Sequence, residues 1–218
     1  FRQKIQVQSN GGLIVAIISD GTTMADAGAF SVDLGAMTLI KTITASDAAT
    51  VSFVDGQSSV VFDNTYPIYL FKFINIHPAS GNRIFSVGFR DAGTAYDAIK
   101  TTSSFRAIHT EDNGTATLAY TANDDIAQGT GFQSLANGVG DGNDESLSGE
   151  MYVFNPSSTT FVKHFLATVN FYEDANMSVQ HFTAGYINVT AAIDAVQFKM
   201  SSGNIDSGIF KLYGIKDS

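Results

Sequence analysis

The chain contains no cysteine and no tryptophan, and only three of its 218 residues are proline. Without cysteine it can form neither a disulfide bond nor a thiolate metal site, and it has no cysteine nucleophile. Charged residues are also scarce, at 15% of the chain, against about 25% in an average soluble domain. The formal net charge of −9 disfavours binding to duplex nucleic acid through a basic surface, so we expect no nucleic-acid partner.

Near its N-terminus the chain has only a short apolar run, from Leu13 to Ile18. A helix that crosses a bilayer needs about 20 apolar residues, and Asp20 follows this run too closely for a convincing signal peptide. Hydrophobic residues nevertheless make up 44% of the chain and are spread along it, which argues against intrinsic disorder. We therefore expect a folded protein without a membrane span.

Helical periodicity is almost absent, whereas short runs rich in Val, Ile, Phe, Tyr and Thr recur between Gly, Asn, Asp and Ser. Several runs alternate with a period of two, which places Phe85, Val87 and Phe89 on one face of a strand. The run from Ile68 to Ile76 is apolar on both faces and predicts a central, doubly buried strand.

This pattern predicts about a dozen strands with turns between them, which is typical of an antiparallel β-sandwich. A jelly roll is the form of sandwich that this chain length favours. Residues 1–38 would form a Gly/Ala-rich arm or the first strands, and residues 39–218 a single sandwich domain. The predicted strands are Leu39–Thr44, Thr50–Val54, Val60–Asp63, Tyr66–Ile76, Arg83–Arg90, Phe105–Thr110, Thr115–Thr121, Phe132–Leu135, Glu150–Asn155, Phe161–Tyr172, Val179–Asn188, Ala192–Ser201 and Ile209–Ile215.

The most polar segment contains Asp141, Asn143 and Glu145, which alternate oxygen-bearing side chains like the start of a calcium loop. The segment lacks the glycine and glutamate positions of an EF-hand, and strands rather than helices are predicted on both sides. Two interpretations remain open: a solvated acidic loop, or a calcium site with these three residues as ligands. Asp124–Asp125 is a weaker second calcium candidate, and no other cofactor is indicated.

An apolar segment lies within the Gly/Ala-rich N-terminal region and consists of Leu13, Ile14, Val15, Ile17 and Ile18. Glycine permits an extended path, so this segment could anchor an arm against a neighbouring subunit. The alternative is that it forms an ordinary first strand of the sandwich.

Four tyrosines near predicted turns are candidates for stacking on sugars: Tyr66, Tyr96, Tyr120 and Tyr186. The chain has 17 Phe and 8 Tyr, so packing in the core is the default role of any single one. No nucleophile elbow and no zinc-protease motif occurs, and adjacent acidic pairs on a strand point to opposite faces. We therefore expect no enzyme activity.

The most distinctive part of the sequence is residues 193–215, which read IDAVQFKMSSGNIDSGIFKLYGI. The S-G-N-hydrophobic-x-S-G-x-hydrophobic-K-L-Y-G-I pattern within it resembles the last strands of a group of structural proteins from marine and cyanobacterial phages. Residues 69–78, 83–96 and 154–164 resemble other segments of the same group. The resemblance extends from Ser46 to the C-terminus.

This resemblance implies a phage virion structural protein that is located in the virion and acts by subunit assembly. A tail or fibre component is favoured, followed by a capsid decoration protein and then by a minor capsid or adaptor component. The implied partners are other virion proteins and copies of the chain itself, as a homo-oligomer with a trimer favoured. The alternative is a carbohydrate-binding β-sandwich module that recognises a host-surface glycan.

The C-terminal segment also carries a structural prediction. Two clusters of turn-forming residues, Ser202–Asn204 and Asp206–Gly208, stand on either side of one apolar residue. They permit a wide hairpin between Val196–Met200 and Phe210–Ile215, so we predict that these two strands pair with each other.

Overall fold

The protein is known from a computed structural model that describes the backbone of residues 5–9, 15–19, 22–26 and 29–30 and all atoms of residues 37–216. No helix among these residues has the length and apolar character needed to cross a membrane. The strands are β1 (Ile5–Ser9), β2 (Val15–Ser19), β3 (Thr22–Asp26), β4 (Ala29–Phe30), β5 (Met37–Ala48), β6 (Val51–Val54), β7 (Ile68–Pro78), β8 (Arg83–Arg90), β9 (Lys100–Thr110), β10 (Ala116–Tyr120), β11 (Gln133–Val139), β12 (Leu147–Phe154), β13 (Lys163–Glu173), β14 (Met177–Ile187), β15 (Ala195–Met200) and β16 (Ile205–Ile215).

The chain divides into two compact units, Phe1–Thr38 and Leu39–Asp217. In the first unit β1, β2, β3 and β4 form an antiparallel sheet in that order. Of the predicted assembly segment, Val15, Ile17 and Ile18 belong to β2, whereas Leu13 and Ile14 lie outside the described residues. β2 is thus a strand of this four-stranded sheet rather than of the larger one.

The larger unit confirms the prediction of an all-β, antiparallel protein. Its strands follow the order β5-β16-β7-β12-β13-β11-β8-β15-β6, with β14 paired to β13 and β9, and β10 paired to β9. The two ends of this order, β5 and β6, are adjacent in the chain, and the sheet is nearly closed into a barrel. This topology does not confirm the finer prediction of a sandwich or jelly roll.

The sheet has one weak connection, because β11 and β13 share a single pair of residues, Val139 and Glu173. On one side of it, the strands β5-β16-β7-β12-β13-β14-β9-β10 pair in succession and form what we call the eight-strand segment. On the other side, β11-β8-β15-β6 form the four-strand segment. Rings of the two segments meet, with centroids of Phe73 and Phe198 5.0 Å apart, so the core lies between them.

Alternation predicted the buried face of β8 correctly, since Phe85, Val87 and Phe89 are fully buried. The prediction for β7 holds only at its start. Leu70 is buried on the face opposite the core-facing rings, but Ile74 further along that same face is exposed. The segment predicted to be a strand at Val60–Asp63 is a loop, so that prediction is wrong.

The loop at Val60–Asp63 buries apolar side chains as a strand would, but its backbone does not pair with another strand. Ser58 and Ser59 have positive φ values of 50° and 69°, which turns the chain, and the Phe62 N–H donates to Asp55 Oδ1 at 2.8 Å. Phe62 then packs with its ring centroid 5.2 Å from that of Tyr69. The alternation of apolar residues in this segment therefore indicates buried side chains and not a strand. Turns within the loop supply the hydrogen bonds that strand pairing would otherwise supply.

The predicted C-terminal hairpin is also wrong. β15 pairs with β6 and β8, whereas β16 pairs with β5 and β7. The two strands face each other across the core, with the ring centroids of Phe198 and Phe210 5.6 Å apart. The turn-rich connection between them carries the chain from one segment to the other, because both strands must present an apolar face to the same core.

Candidate functional site

Three carboxylates meet where two connections between strands approach each other. Asp141 and Glu145 lie in the connection between β11 and β12, and Asp174 lies in the turn between β13 and β14. Oxygens of the three groups lie within 4.8 Å of one another. Asp141 and Asp174 are exposed and Glu145 is half-buried. We call these three residues the acidic cluster.

Backbone hydrogen bonds hold the two connections together. The Gly140 N–H donates to the Tyr172 carbonyl at 3.1 Å, and the Asp174 N–H donates to the Gly138 carbonyl at 3.1 Å. Gly138 has φ of 99°, a conformation that glycine adopts without steric cost. These bonds bring Asp174 beside the loop that carries the other two carboxylates.

Close packing shapes the rest of the cluster. The Glu145 carboxylate accepts a hydrogen bond from the Gly142 N–H at 2.7 Å. Gly81, in the turn between β7 and β8, faces the other two carboxylates, and a Cβ there would lie 2.6 Å from Asp141 Oδ1 and 2.7 Å from Asp174 Oδ1. Only a residue without a side chain fits this position while the carboxylates stay where they are.

The arrangement changes the predicted set of calcium ligands. The structure brings Asp141 and Glu145 together but adds Asp174, whereas Asn143 lines a neighbouring depression of about 400 Å³. No ion pair among the described residues involves the three carboxylates, and a cluster of carboxylate oxygens is the ligand type that Ca²⁺ prefers. Calcium binding itself stays a prediction. Asp174, the ligand that the sequence did not predict, follows Glu173 at the end of β13. No local sequence pattern connects it with the loop that carries Asp141 and Glu145.

The second calcium candidate, Asp124–Asp125, is divided between two environments. Asp124 is buried, and its carboxylate accepts a hydrogen bond from Asn137 Nδ2 at 2.8 Å. Asp125 accepts a hydrogen bond from the Tyr120 hydroxyl at 2.5 Å. The two neighbouring carboxylates therefore have separate protein partners.

Two of the four predicted sugar-stacking tyrosines are held in side-chain packing. Tyr66 is half-buried and meets Tyr69 edge to face, with ring centroids 5.8 Å apart. Tyr96 is also half-buried, with its centroid 6.4 Å from that of Phe132 and 5.8 Å from the Arg90 guanidinium carbon. Both rings therefore pack against neighbouring side chains, and their role in sugar binding stays a prediction.

The other two tyrosines, Tyr120 and Tyr186, lie on one outward surface of the eight-strand segment. This surface consists of the even-numbered residues from His164 to Tyr172, from Ser178 to Tyr186 and from Ala116 to Tyr120, and the odd-numbered residues from Thr101 to His109. None of these residues is Asp, Glu, Lys or Arg. We call this surface of β13, β14, β9 and β10 the neutral face.

Large apolar side chains are exposed on the neutral face. Leu118 is 72% exposed, Leu166 49% and Phe105 44%. Phe105 stacks on Phe182 with centroids 4.8 Å apart, and Tyr120 is paired with Phe105 across β10 and β9. An apolar strip thus runs across adjacent strands of this surface.

The remaining outward surface of the eight-strand segment is charged. The row that begins at Tyr120, Phe105 and Phe182 continues through β12, β7 and β16 as Glu150, Lys72 and Lys211. Lys72 Nζ and Glu150 Oε2 form a salt bridge of 2.7 Å. Charge therefore divides one continuous sheet surface into two halves.

A shallow depression of about 320 Å³ lies within the neutral face. Tyr186, His164, Leu166 and Ser103 line it, and the rings of His164 and Tyr186 meet edge to face with centroids 6.3 Å apart. An aromatic ring beside hydroxyl groups is a combination that can contact a sugar.

Several buried polar residues that no sequence motif predicted lie inside the larger unit, between β9, β14 and β11. Lys100 is fully buried, and its ammonium donates to the Gly131 carbonyl at 2.7 Å. Burial lowers the pKa of Lys100 to about 8, and the nearby Asp97 opposes this shift. Thr102 donates to Gln133 Oε1 at 2.6 Å in the same region. These groups tie the loop before β11 to the eight-strand segment.

His181 belongs to the same interior. Its Nδ1 lies 2.8 Å from the Leu135 carbonyl, and its Nε2 lies 3.9 Å from Asp124 Oδ2. Burial lowers the pKa of His181, and the Asp124 carboxylate partly opposes that effect. The imidazole is thereby held in a position that connects β14 with β11.

Comparison of the chain with protein-family models, curated proteins and solved structures finds no match. The neutral face, the acidic cluster and the sequence patterns are therefore the features of this chain that bear on its function.

Proposed function

We propose that this chain is a structural protein of a phage virion that acts by assembling with copies of itself and with other virion proteins. The observation that carries the proposal is the neutral face, with Leu118 and Phe105 exposed on the adjacent strands β10 and β9, and Leu166 exposed on β13 beyond β14. A contiguous exposed apolar patch is typical of an interaction surface. The C-terminal resemblance to phage structural proteins supports the same assignment, and a protein that acts by assembly requires no catalytic group.

Within the virion we place the chain first in the tail or fibre, next in capsid decoration and last among minor capsid or adaptor components. The homo-oligomer, with a trimer favoured, stays an expectation from the resemblance. For the fold we propose a two-layer β-sandwich of the jelly-roll kind. The single residue pair between β11 and β13 supports two layers, since the core lies between the segments on either side of it.

The proposal is tested on purified particles of the phage whose genome encodes the chain. Mass spectrometry is expected to find the chain in repeated copies per particle, and electron cryo-microscopy is expected to show it as an ordered β-rich subunit. A chain that is abundant in infected cells but absent from washed particles would contradict a role in the virion.

A glycan-binding module is the second candidate, and the depression lined by Tyr186 and His164 favours it. A glycan array is expected, on this alternative, to show binding that Tyr186→Ala abolishes. Tyr96→Ala is the matched control, because that ring is packed against Phe132 elsewhere in the unit. An array without any bound glycan would remove this candidate.

A further inference from the structure

We propose that the neutral face packs against the neutral face of a second copy of this chain. This inference rests on the assembly function proposed above and names the surface and the partner. It replaces the trimer expected from the resemblance with a two-fold dimer. The two copies would be related by a two-fold axis, since the same surface is used on both sides.

The absence of charged residues on the neutral face indicates which surface it binds. A buried interface penalises any charge that loses its water without gaining a counter-charge, so a surface without charges pairs best with another such surface. Elsewhere on the outward strand surfaces of residues 39–216, Lys72, Glu150 and Lys211 occupy the eight-strand segment, and Arg90 and Lys199 the four-strand segment. The neutral face of another copy is therefore the matching surface. The net charge of −9 on each chain opposes association at long range, and salt at physiological concentration screens this repulsion beyond about 8 Å.

The area is sufficient for a specific contact. Nine residues each of β13, β14 and β9 and the five residues of β10, at about 3.3 Å per residue and about 4.8 Å between strands, cover roughly 500 Å² in projection. Side chains that stand out of the sheet add to this accessible area, and a standard interface buries about 800 Å² per partner. Exposed Leu118, Leu166 and Phe105 supply the apolar anchors that such an interface needs.

The exposed edge strand β10, at the border of the neutral face, also supports this contact. β10 is fully exposed along Ala116–Tyr120 and pairs only with β9 among the described strands. Natural proteins usually protect an edge strand with charge or proline, and β10 carries neither. Contact between two neutral faces would cover the outward side chains of this unprotected strand.

Sedimentation velocity of the full chain over a concentration series tests the proposal. We expect a dimer whose dissociation constant rises by at least about tenfold in Leu118→Asp, because that variant buries an unpaired carboxylate. Ile74→Asp is the matched control, since Ile74 is an exposed aliphatic residue on the charged half of the same sheet surface. Circular dichroism should be unchanged in both variants, and thermal melting should be unchanged in Leu118→Asp, whose side chain is 72% exposed. Ile74 is 36% exposed, so Ile74→Asp is compared at a temperature at which its circular dichroism shows it folded.

A dimer that is equally stable in wild type, Leu118→Asp and the double variant Leu118→Asp/Leu166→Asp would overturn the proposal. So would a chain that stays monomeric at every concentration. A trimer or larger ring that Leu118→Asp dissociates would overturn the two-fold arrangement, because the neutral face would then bind a different surface.

Cysteine substitution distinguishes the two-fold contact directly, because the natural chain has no cysteine. Single variants Ser103→Cys, Phe105→Cys and Ala107→Cys place one thiol at successive outward positions of β9. At least one is expected to oxidise to a covalent dimer, whereas Ile74→Cys should stay monomeric on a non-reducing gel. Cross-linking of Ile74→Cys alone would contradict the proposed surface.

The failure of this inference can be separated from that of the proposed function. If particles contain the chain but Leu118→Asp leaves its dimer intact, the virion role stands and the neutral-face contact is wrong. If the chain is absent from particles yet dimerises through the neutral face, the contact stands and the virion role is wrong.

Discussion

Two lysines have their charged groups enclosed by the protein rather than by water. Lys100 donates to the Gly131 carbonyl, and Lys163 donates to the carbonyls of Val189 and Ala191. Both residues are fully buried, and burial lowers the pKa of each. Carbonyl oxygens compensate only partly for lost hydration, so a buried ammonium loses its proton more readily than an exposed one.

Lys100 predicts a pH dependence of stability. Its pKa is about 8 in the folded protein and 10.5 in the absence of burial, so between these pH values the unfolded chain binds more protons. The contribution of Lys100 to the free energy of unfolding therefore rises with pH across this window, by on the order of 3 kcal/mol. Below pH 8 the residue is charged in both states and adds no slope.

The measurement is denaturant unfolding of wild type and Lys100→Met at several pH values between 8 and 10.5. The wild type should gain stability relative to the variant as the pH rises, whatever other groups titrate in both proteins. Parallel curves for the two proteins would show that Lys100 keeps its ordinary pKa when folded.

The acidic cluster leads to a prediction about calcium. If Asp141, Glu145 and Asp174 bind Ca²⁺, calcium at about 100-fold above its Kd should stabilise the folded chain by ~2.7 kcal/mol. Asp174→Asn should abolish most of this effect, because it removes one of three charged ligands, whereas Asn143→Ala should leave it intact. Thermal melting with calcium or with chelator measures both variants, and identical responses to calcium would reject the cluster as the site.

At the scale of elements, the strands of the two segments are joined through aromatic rings. Phe198 of β15 contacts Phe71 and Phe73 of β7, with ring centroids 5.4 and 5.0 Å apart. It also stacks on Phe85 of the neighbouring strand β8 at 5.8 Å. One ring therefore links the two sides of the core.

Phe198→Ala is expected to lower the free energy of unfolding by about 3–5 kcal/mol, because it removes a fully buried ring and leaves a cavity. Phe161 provides the matched control, since its ring is 70% exposed in the connection between β12 and β13. Phe161→Ala should change stability by less than about 0.5 kcal/mol. Equal losses in urea denaturation would mean that the core does not depend on Phe198.

At the scale of the whole molecule, the described core belongs to one unit. Its buried apolar residues extend from Ala45 to Leu212, within Leu39–Asp217. A unit with its own core can fold independently. The sheet β1–β4 is a separate element of Phe1–Thr38.

A chain that begins at Met37, and so keeps all of β5, is expected to unfold cooperatively with a Tm within about 4 °C of the full chain. Scanning calorimetry measures this. Loss of the cooperative transition, with retention of it in a full-length control prepared alongside, would show that residues 1–36 are needed for the larger unit to fold.

Strand content and the apolar face of each strand follow from the sequence alone, because a period of two is a local property. The prediction that Phe85, Val87 and Phe89 share one buried face of a strand is correct for this reason. Val60–Asp63 was wrong because burial and strand pairing are different properties that share one pattern. The two predicted calcium ligands that meet, Asp141 and Glu145, share a loop, whereas Asp174 comes from another turn.

What only the tertiary structure decided is which strands are neighbours. β15 and β16 are consecutive in the chain but lie on opposite sides of the core, where Phe198 of β15 and Phe210 of β16 are both buried. The low charge of the composition is a property of the sequence. A surface without any charged residue arises only when β13, β14, β9 and β10 pair, because uncharged residues that are scattered along the chain then become adjacent in space.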